Sequence, residues 1–188
     1  MKDVIEIRWH GRGGQGTVTA AKALAEAALV GGKYIQAFPD YGPERMGAPL
    51  RVYNRISPDE ITIHCPVRKP NIVVVMDPSL IGAVDVLEGA KEDATVLVNT
   101  HHTPSDLKLD TGGRDLYTVD ATKISLDCIG RVMPNTPIMG ALVKVTGIVT
   151  LDTLVNHIET AFKKKFSAEI LEGNVKAIKR AYEEVQGK

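Results

Sequence analysis

Residues 4–9, VIEIRW, alternate apolar and polar positions and predict a first strand. The glycine-rich stretch GRGGQG follows at 11–16. Residues 17–30, TVTAAKALAEAALV, then place Val18, Ala21, Leu24, Ala25, Ala28 and Leu29 at helical spacing, and Gly31-Gly32 ends that helix. KYIQAF (33–38) predicts a short second strand. The stretch PDYGPERMGAP (39–49) holds three prolines and two glycines and forms no regular element. LRVYNRI (50–56) and EITIHC (60–65) both alternate and are joined by Ser57-Pro58-Asp59, which predicts a β-hairpin. The nearly continuous apolar run NIVVVMD (71–77) predicts a central parallel strand buried on both faces. Pro78 then opens a helix through SLIGAVDVL (79–87). ATVLVN (94–99) and DLYTVD (115–120) predict two more strands.

The last third reads as helical, beginning with residues 121–133. Residues 134–149, PNTPIMGALVKVTGIV, are apolar on nearly every side, as in a helix buried in its own domain or against a partner. Thr136 and Pro137 fit the N-cap and first helical position. Leu151, Leu154, Val155, Ile158 and Phe162 mark one amphipathic helix, and Leu171, Val175, Ile178, Tyr182 and Val185 a final one. No repeat or long linker divides the chain. The expectation is one α/β domain over residues 1–188: three layers around a mainly parallel, doubly wound (Rossmann-like) sheet with an inserted β-hairpin.

Composition narrows the function. Lys plus Arg and Asp plus Glu number 23 each, so the basic excess of a nucleic-acid binder is absent overall. Cys65 and Cys128 make no Cys-x-x-Cys pair, so a zinc or iron–sulfur site built by this chain alone is not expected, and two buried free thiols are. The N-terminal pattern is not that of a signal peptide, and no run reaches the roughly 18 apolar residues of a membrane span. A cytoplasmic protein without membrane contact is the expectation.

Gly11, Gly13 and Gly16 satisfy G-x-G-x-x-G between a strand and a helix. Such a turn suits an anion, because a helix N-terminus offers unpaired N–H groups and glycines let a phosphate approach the backbone. Gly11, Arg12, Gly13, Gly14, Gln15, Gly16 and Thr17 are the candidate phosphate-binding residues, with Thr17 capping the helix or donating to a phosphate oxygen and Arg12 adding charge. A tight turn with close helix packing is the plainer account. A nicotinamide site would want an acid about 20 residues on, at the end of the second strand. Gln36 stands there instead, and no Lys follows the last glycine as in a P-loop. No His/acid pair for hydride transfer stands out. The loop 41–49 is either an Ω-loop packed on itself or a contact loop, with Tyr41, Gly42, Glu44, Arg45 and Gly47 as pocket or interface candidates. Asn135 and Thr136 either cap the buried helix or meet an interface. His101-His102 and the run Lys163 to Lys165 read as solvated. His10 either faces the pocket or is a satisfied edge histidine.

Three stretches in order, GRGGQG, then DYGPERMGAP, then PNTPIMGAL, give the chain a full-length resemblance to the gamma subunits of 2-oxoacid:ferredoxin oxidoreductases, most of all the pyruvate type. The resemblance implies a multisubunit enzyme that decarboxylates a 2-oxoacid oxidatively with coenzyme A, giving acyl-CoA, carbon dioxide and reduced ferredoxin. It implies alpha, beta and delta partners and ferredoxin as electron acceptor. Thiamine diphosphate with Mg2+ and iron–sulfur clusters would lie on those other subunits, and the gamma chain would not be catalytic alone. It would support assembly, with coenzyme A as the plausible anion at the glycine turn. Other 2-oxoacids such as 2-ketoisovalerate, a pure assembly role, and a stand-alone Rossmann-type nucleotide-binding oxidoreductase are the alternatives.

Overall fold

A computed structural model describes residues 4–40, 47–163 and 165–187. Among them seven strands form one sheet in the order β2-β3-β1-β4-β5-β6-β7. β1 (Ile5–Arg12) leads through α1 (Thr17–Val30) to β2 (Tyr34–Asp40) at one edge, and β3 (Pro49–Ser57) inserts antiparallel between β2 and β1. The chain then moves to the other side of β1, where β4 (Ile72–Val75), β5 (Thr95–Asn99) and β6 (Leu116–Val119) add in parallel. The strand order therefore reverses at β1, and the crevice between the carboxyl ends of β1 and β4 is the switch point where such sheets bind ligands. The short β7 (Gln186–Gly187) runs antiparallel to β6 and closes the far edge.

Alternation along the strands sorts side chains to two faces. Ile7, Trp9, Val52, Val74 and Leu97 join one core with α1, α3 (Asn135–Thr146), α4 (Leu151–Phe162) and α5 (Ala168–Glu184). α2 (Ala121–Ile129) adds Ile124 to the same core, so all five helices gather on that face. Small residues allow close packing: six alanines of α1 are buried, and a Cβ at Gly140 of α3 would fall on the Ile178 carbonyl oxygen of α5. Asn54 supplies the polar link, accepting the Trp9 indole N–H at 2.7 Å and donating to the Ala21 carbonyl at 2.9 Å. Val73, Val75, Val96 and Val98 face the other side, against Leu80, Val86 and Ala90.

Three expectations change. The helix over 79–87 is only a 3-10 turn, Pro78–Leu80, so turns cover the second face. Gly82 at φ +86° breaks any helical continuation. Residues 60–65 form no strand, and the antiparallel hairpin is β2 with β3. The buried Arg55 guanidinium occupies the backbone of that segment, donating to the carbonyls of Ile63 (3.4 Å) and Cys65 (2.7 Å), while Glu6 neutralises it at 2.8 Å. Without that strand Cys65 is exposed, and Cys128 is only half-buried, so neither thiol is the core residue expected. No helix among the described residues is long and apolar enough to cross a membrane.

Candidate functional site

β1 delivers the glycine turn to the switch point. Gly14 and Gly16 take φ +96° and +77°, conformations that side-chain-bearing residues rarely adopt. Gly16 is the N-cap of α1 and bonds the helix only through its carbonyl, which accepts from Ala20 N at 2.9 Å. No side chain caps α1, and its first turn holds no acid. α3 begins beside it in the same condition, with Pro134 as N-cap and no side-chain cap or first-turn acid. By contrast, Asp120, Thr150 and Ser167 cap α2, α4 and α5. The two uncapped ends touch, for a Cβ on Gly16 would lie 2.9 Å from both Cγ and Nδ2 of Asn135.

Buried polar atoms without a partner collect at this junction. Asn135 Oδ1, Thr136 Oγ1 and Thr17 Oγ1 have no hydrogen-bond partner among the described residues. Each is a group that ordinarily stays paired when buried. Asn135 and Thr136 line a cavity of about 340 Å³ that also takes in Gly14 and Gly16. Ile129, Met133, Phe162 and Phe166 add apolar wall, and Arg131 and Lys165 are exposed cations on it. Two helix N-termini, the Thr136 hydroxyl, an amide and two cations around an apolar hollow can hold an anion carrying an organic body.

A larger cleft of about 960 Å³ opens beyond the ends of β5 and β6, lined by Asn99, His101, His102 and Asp120 among others. Its inner polar groups Asn99 and Asp120 are already engaged. Asn99 Nδ2 donates to the Met76 carbonyl and to Thr122 Oγ1, and Asp120 caps α2. The histidine rings are exposed and lie 4.1 Å apart. The smaller cavity is the one lined by buried polar atoms without a partner.

The candidates named from the sequence fall into different places. Gly11 is packed against Thr17, which is buried and does not cap α1. Arg12 and Gln15 turn away to Asp77, at 3.2 Å and 2.7 Å. Gly13 N donates to the Ala48 carbonyl, and Gly47 N returns a bond to Gly13 O, which ties residues 47–48 to the turn. Tyr41, Gly42, Glu44 and Arg45 lie outside the described residues. Asn135 and Thr136 are not caps, because the helix starts at Asn135, two residues earlier than a Thr136 cap requires, and they line the cavity instead. His10 is a satisfied buried residue, 2% exposed, whose Nε2 accepts from Arg8 Nε at 3.1 Å. Burial, then the charges of Arg8 and Arg51, push its pKa down to about 3. Gln36 is held by the Ile63 carbonyl and Arg55. Asp77 was missed because an acid before Pro-Ser reads as the start of the next turn, which it also is.

The chain is thus an α/β fold whose mostly parallel sheet carries its helices on one face, with a glycine turn at the switch point where open sheets of this class bind ligands. Residues 6–184 match the family described as Pyruvate ferredoxin/flavodoxin oxidoreductase, and the chain belongs to that family. The pyruvate synthase subunit PorC of Thermotoga maritima is 48% identical over 186 residues, covering 98% of this chain and 96% of that one. The pyruvate/ketoisovalerate oxidoreductases common subunit gamma of Pyrococcus abyssi is 48% identical over 185 residues, covering 97% and 98%. The crystal structure of the pyruvate oxidoreductase subunit PORC of Thermotoga maritima superposes with a TM-score of 0.87 at 47% identity, covering 100% of this chain and 99% of that one. Among the described residues no three His, Cys, Asp or Glu side chains are grouped to hold a metal ion.

Proposed function

We propose that this gamma-type subunit works with alpha, beta and delta chains to oxidise pyruvate or a related 2-oxoacid, and that it holds coenzyme A by its phosphates. The complex would form acyl-CoA and carbon dioxide and pass the electrons to ferredoxin. Thiamine diphosphate with Mg2+ would supply the carbon chemistry on the partner chains, and iron–sulfur clusters there would carry the electrons. This chain's own work is binding. The backbone N–H groups at Gly16 and at the start of α3 would meet a phosphate, with the hydroxyl of Thr136 available as a donor. The Asn135 amide offers a donor and an acceptor, and the apolar wall suits the organic part of the ligand.

The observation that carries this reading is the contact of Gly16 with Asn135, which joins two uncapped helix N-termini around unpartnered buried polar atoms. A stand-alone nicotinamide enzyme is disfavoured, since Gln36 is engaged where that cofactor's ribose would need an acid. The Pyrococcus relative is named a subunit common to pyruvate and ketoisovalerate enzymes, which supports a gamma chain that leaves the choice of 2-oxoacid to its partners. The test is anaerobic purification of the tagged chain with its native partners, followed by assay of coenzyme A-dependent viologen reduction with each 2-oxoacid. Co-purified subunits active on pyruvate are expected. A lone chain carrying a nicotinamide nucleotide would overturn the proposal.

A further inference from the structure

We propose that Asp77 is a positioning residue for coenzyme A binding: with Gln15 and Arg12 it forms a latch that fixes the glycine turn in its anion-receiving shape. This inference rests on the reading of the turn as the coenzyme A site and gives Gln15 and Arg12 a different task from touching the ligand. Asp77 ends the β4 side of the switch point and is linked to both chain directions. Its Oδ1 accepts Ser79 N at 2.9 Å, which fixes the carboxylate on its own strand end. Its Oδ2 accepts Gln15 Nε2 at 2.7 Å and pairs with Arg12 Nε at 3.2 Å. Gln15 closes the ring, for its Oε1 accepts the backbone N–H of Arg12 at 2.8 Å. The Arg12 guanidinium continues to Ser79 Oγ at 3.0 Å and to the Gly47 carbonyl at 3.1 Å.

The polarity of this ring is fixed. Gln15 must aim Oε1 at an N–H and Nε2 at an acceptor, and only a carboxylate at position 77 accepts from Gln15, Arg12 and Ser79 together. Burial opposes ionisation of Asp77, but the bonds from Ser79 and Gln15 and the charge of Arg12 outweigh it and hold its pKa below the usual carboxylate range. The physical need is plain. A turn with glycines at 13, 14 and 16 has many backbone states, and each one the free chain visits weakens a ligand that needs a single state. Tying the side chain of Gln15, between the two left-handed glycines, to a rigid strand end removes those states. Arg12 also neutralises the carboxylate, so the latch adds no net repulsion toward a phosphate.

The test is a polarity swap in the assembled enzyme. Asp77→Asn faces an amide N–H to Gln15 Nε2, and Gln15→Glu faces a second carboxylate to Asp77. Each single change should raise KM for coenzyme A about tenfold, and with Asp77→Asn kcat at saturating coenzyme A should fall less than twofold. The double change Gln15→Glu with Asp77→Asn restores a donor–acceptor pair and should return KM to within about threefold of the starting value. Amide hydrogen exchange at residues 13–16 of the full chain should quicken in the single variants and slow again in the double. Normal KM and exchange in Asp77→Asn, or no rescue in the double variant, would overturn the latch. Gln15→Glu, at a half-buried position, serves if Asp77→Asn does not fold. Gly16→Ala separates the two levels. If it raises KM while the latch variants do not, the latch fails and the site stands. If no variant at either position moves KM, the coenzyme A reading itself fails.

Discussion

Lowering the pH from 8 to 5 should destabilise the chain by about 2 kcal/mol through His10 alone. His10 is 2% exposed, its Nε2 lone pair is committed to Arg8, and its pKa is held at about 3 against 6.5 for a free imidazole. Above pH 6.5 neither the folded nor the unfolded chain protonates it. Between 6.5 and 3 only the unfolded chain takes up the proton, so stability falls with pH throughout that window. Integrating the difference gives about 2 kcal/mol by pH 5 and about 3 kcal/mol by pH 4. The assay is urea unfolding of the full chain at pH 8 and pH 5, compared with His10→Gln, whose side-chain carbonyl can still accept from Arg8 and does not titrate. The variant should lose about 2 kcal/mol less than the native chain over the same interval. Equal losses would refute the reasoning, as would an imidazole that titrates near pH 6 in the folded chain by NMR.

Other outcomes follow from the packing and the cavity. Gly140→Ala drives a methyl group into the Ile178 carbonyl, and the α3–α5 contact should weaken by about 1–3 kcal/mol, read as a melting temperature several degrees lower. Asn54→Leu leaves the buried Trp9 indole N–H without its acceptor and should cost about 1–3 kcal/mol in urea unfolding. Gly16→Ala meets both a left-handed backbone and the Asn135 side chain, and should raise KM for coenzyme A in the assembled enzyme about tenfold while lowering the melting temperature of the chain by several degrees.

Local punctuation made much of the fold legible. Gly16 and Gly31 bracket α1 at the ends the spacing predicts, and the valine run ending at Met76 is indeed a central strand. The failures share a cause: long-range side chains decided what local pattern could not. Residues 60–65 alternate like a strand, yet Arg55 and Gln36 satisfy their carbonyls from across the sheet. Residues 79–87 carry helical spacing, but Asp77 caps a 3-10 turn and Gly82 turns the chain away. In the site, the glycines announce themselves, whereas Asp77 gains meaning only because β4 lies beside β1. Asn135 and Thr136 were visible as polar residues opening an apolar helix. Their placement at the cavity depends on Pro134 capping the helix and on Gly16 coming within contact of Asn135.

The most direct measurement of the central claim is the dissociation constant of coenzyme A for the assembled enzyme carrying Asn135→Ala in this chain, with subunit composition checked by native mass. Loss of a buried amide that contacts a charged ligand should weaken binding roughly tenfold or more in an intact complex. An intact complex that binds coenzyme A with unchanged affinity would contradict the account and leave this chain with assembly alone.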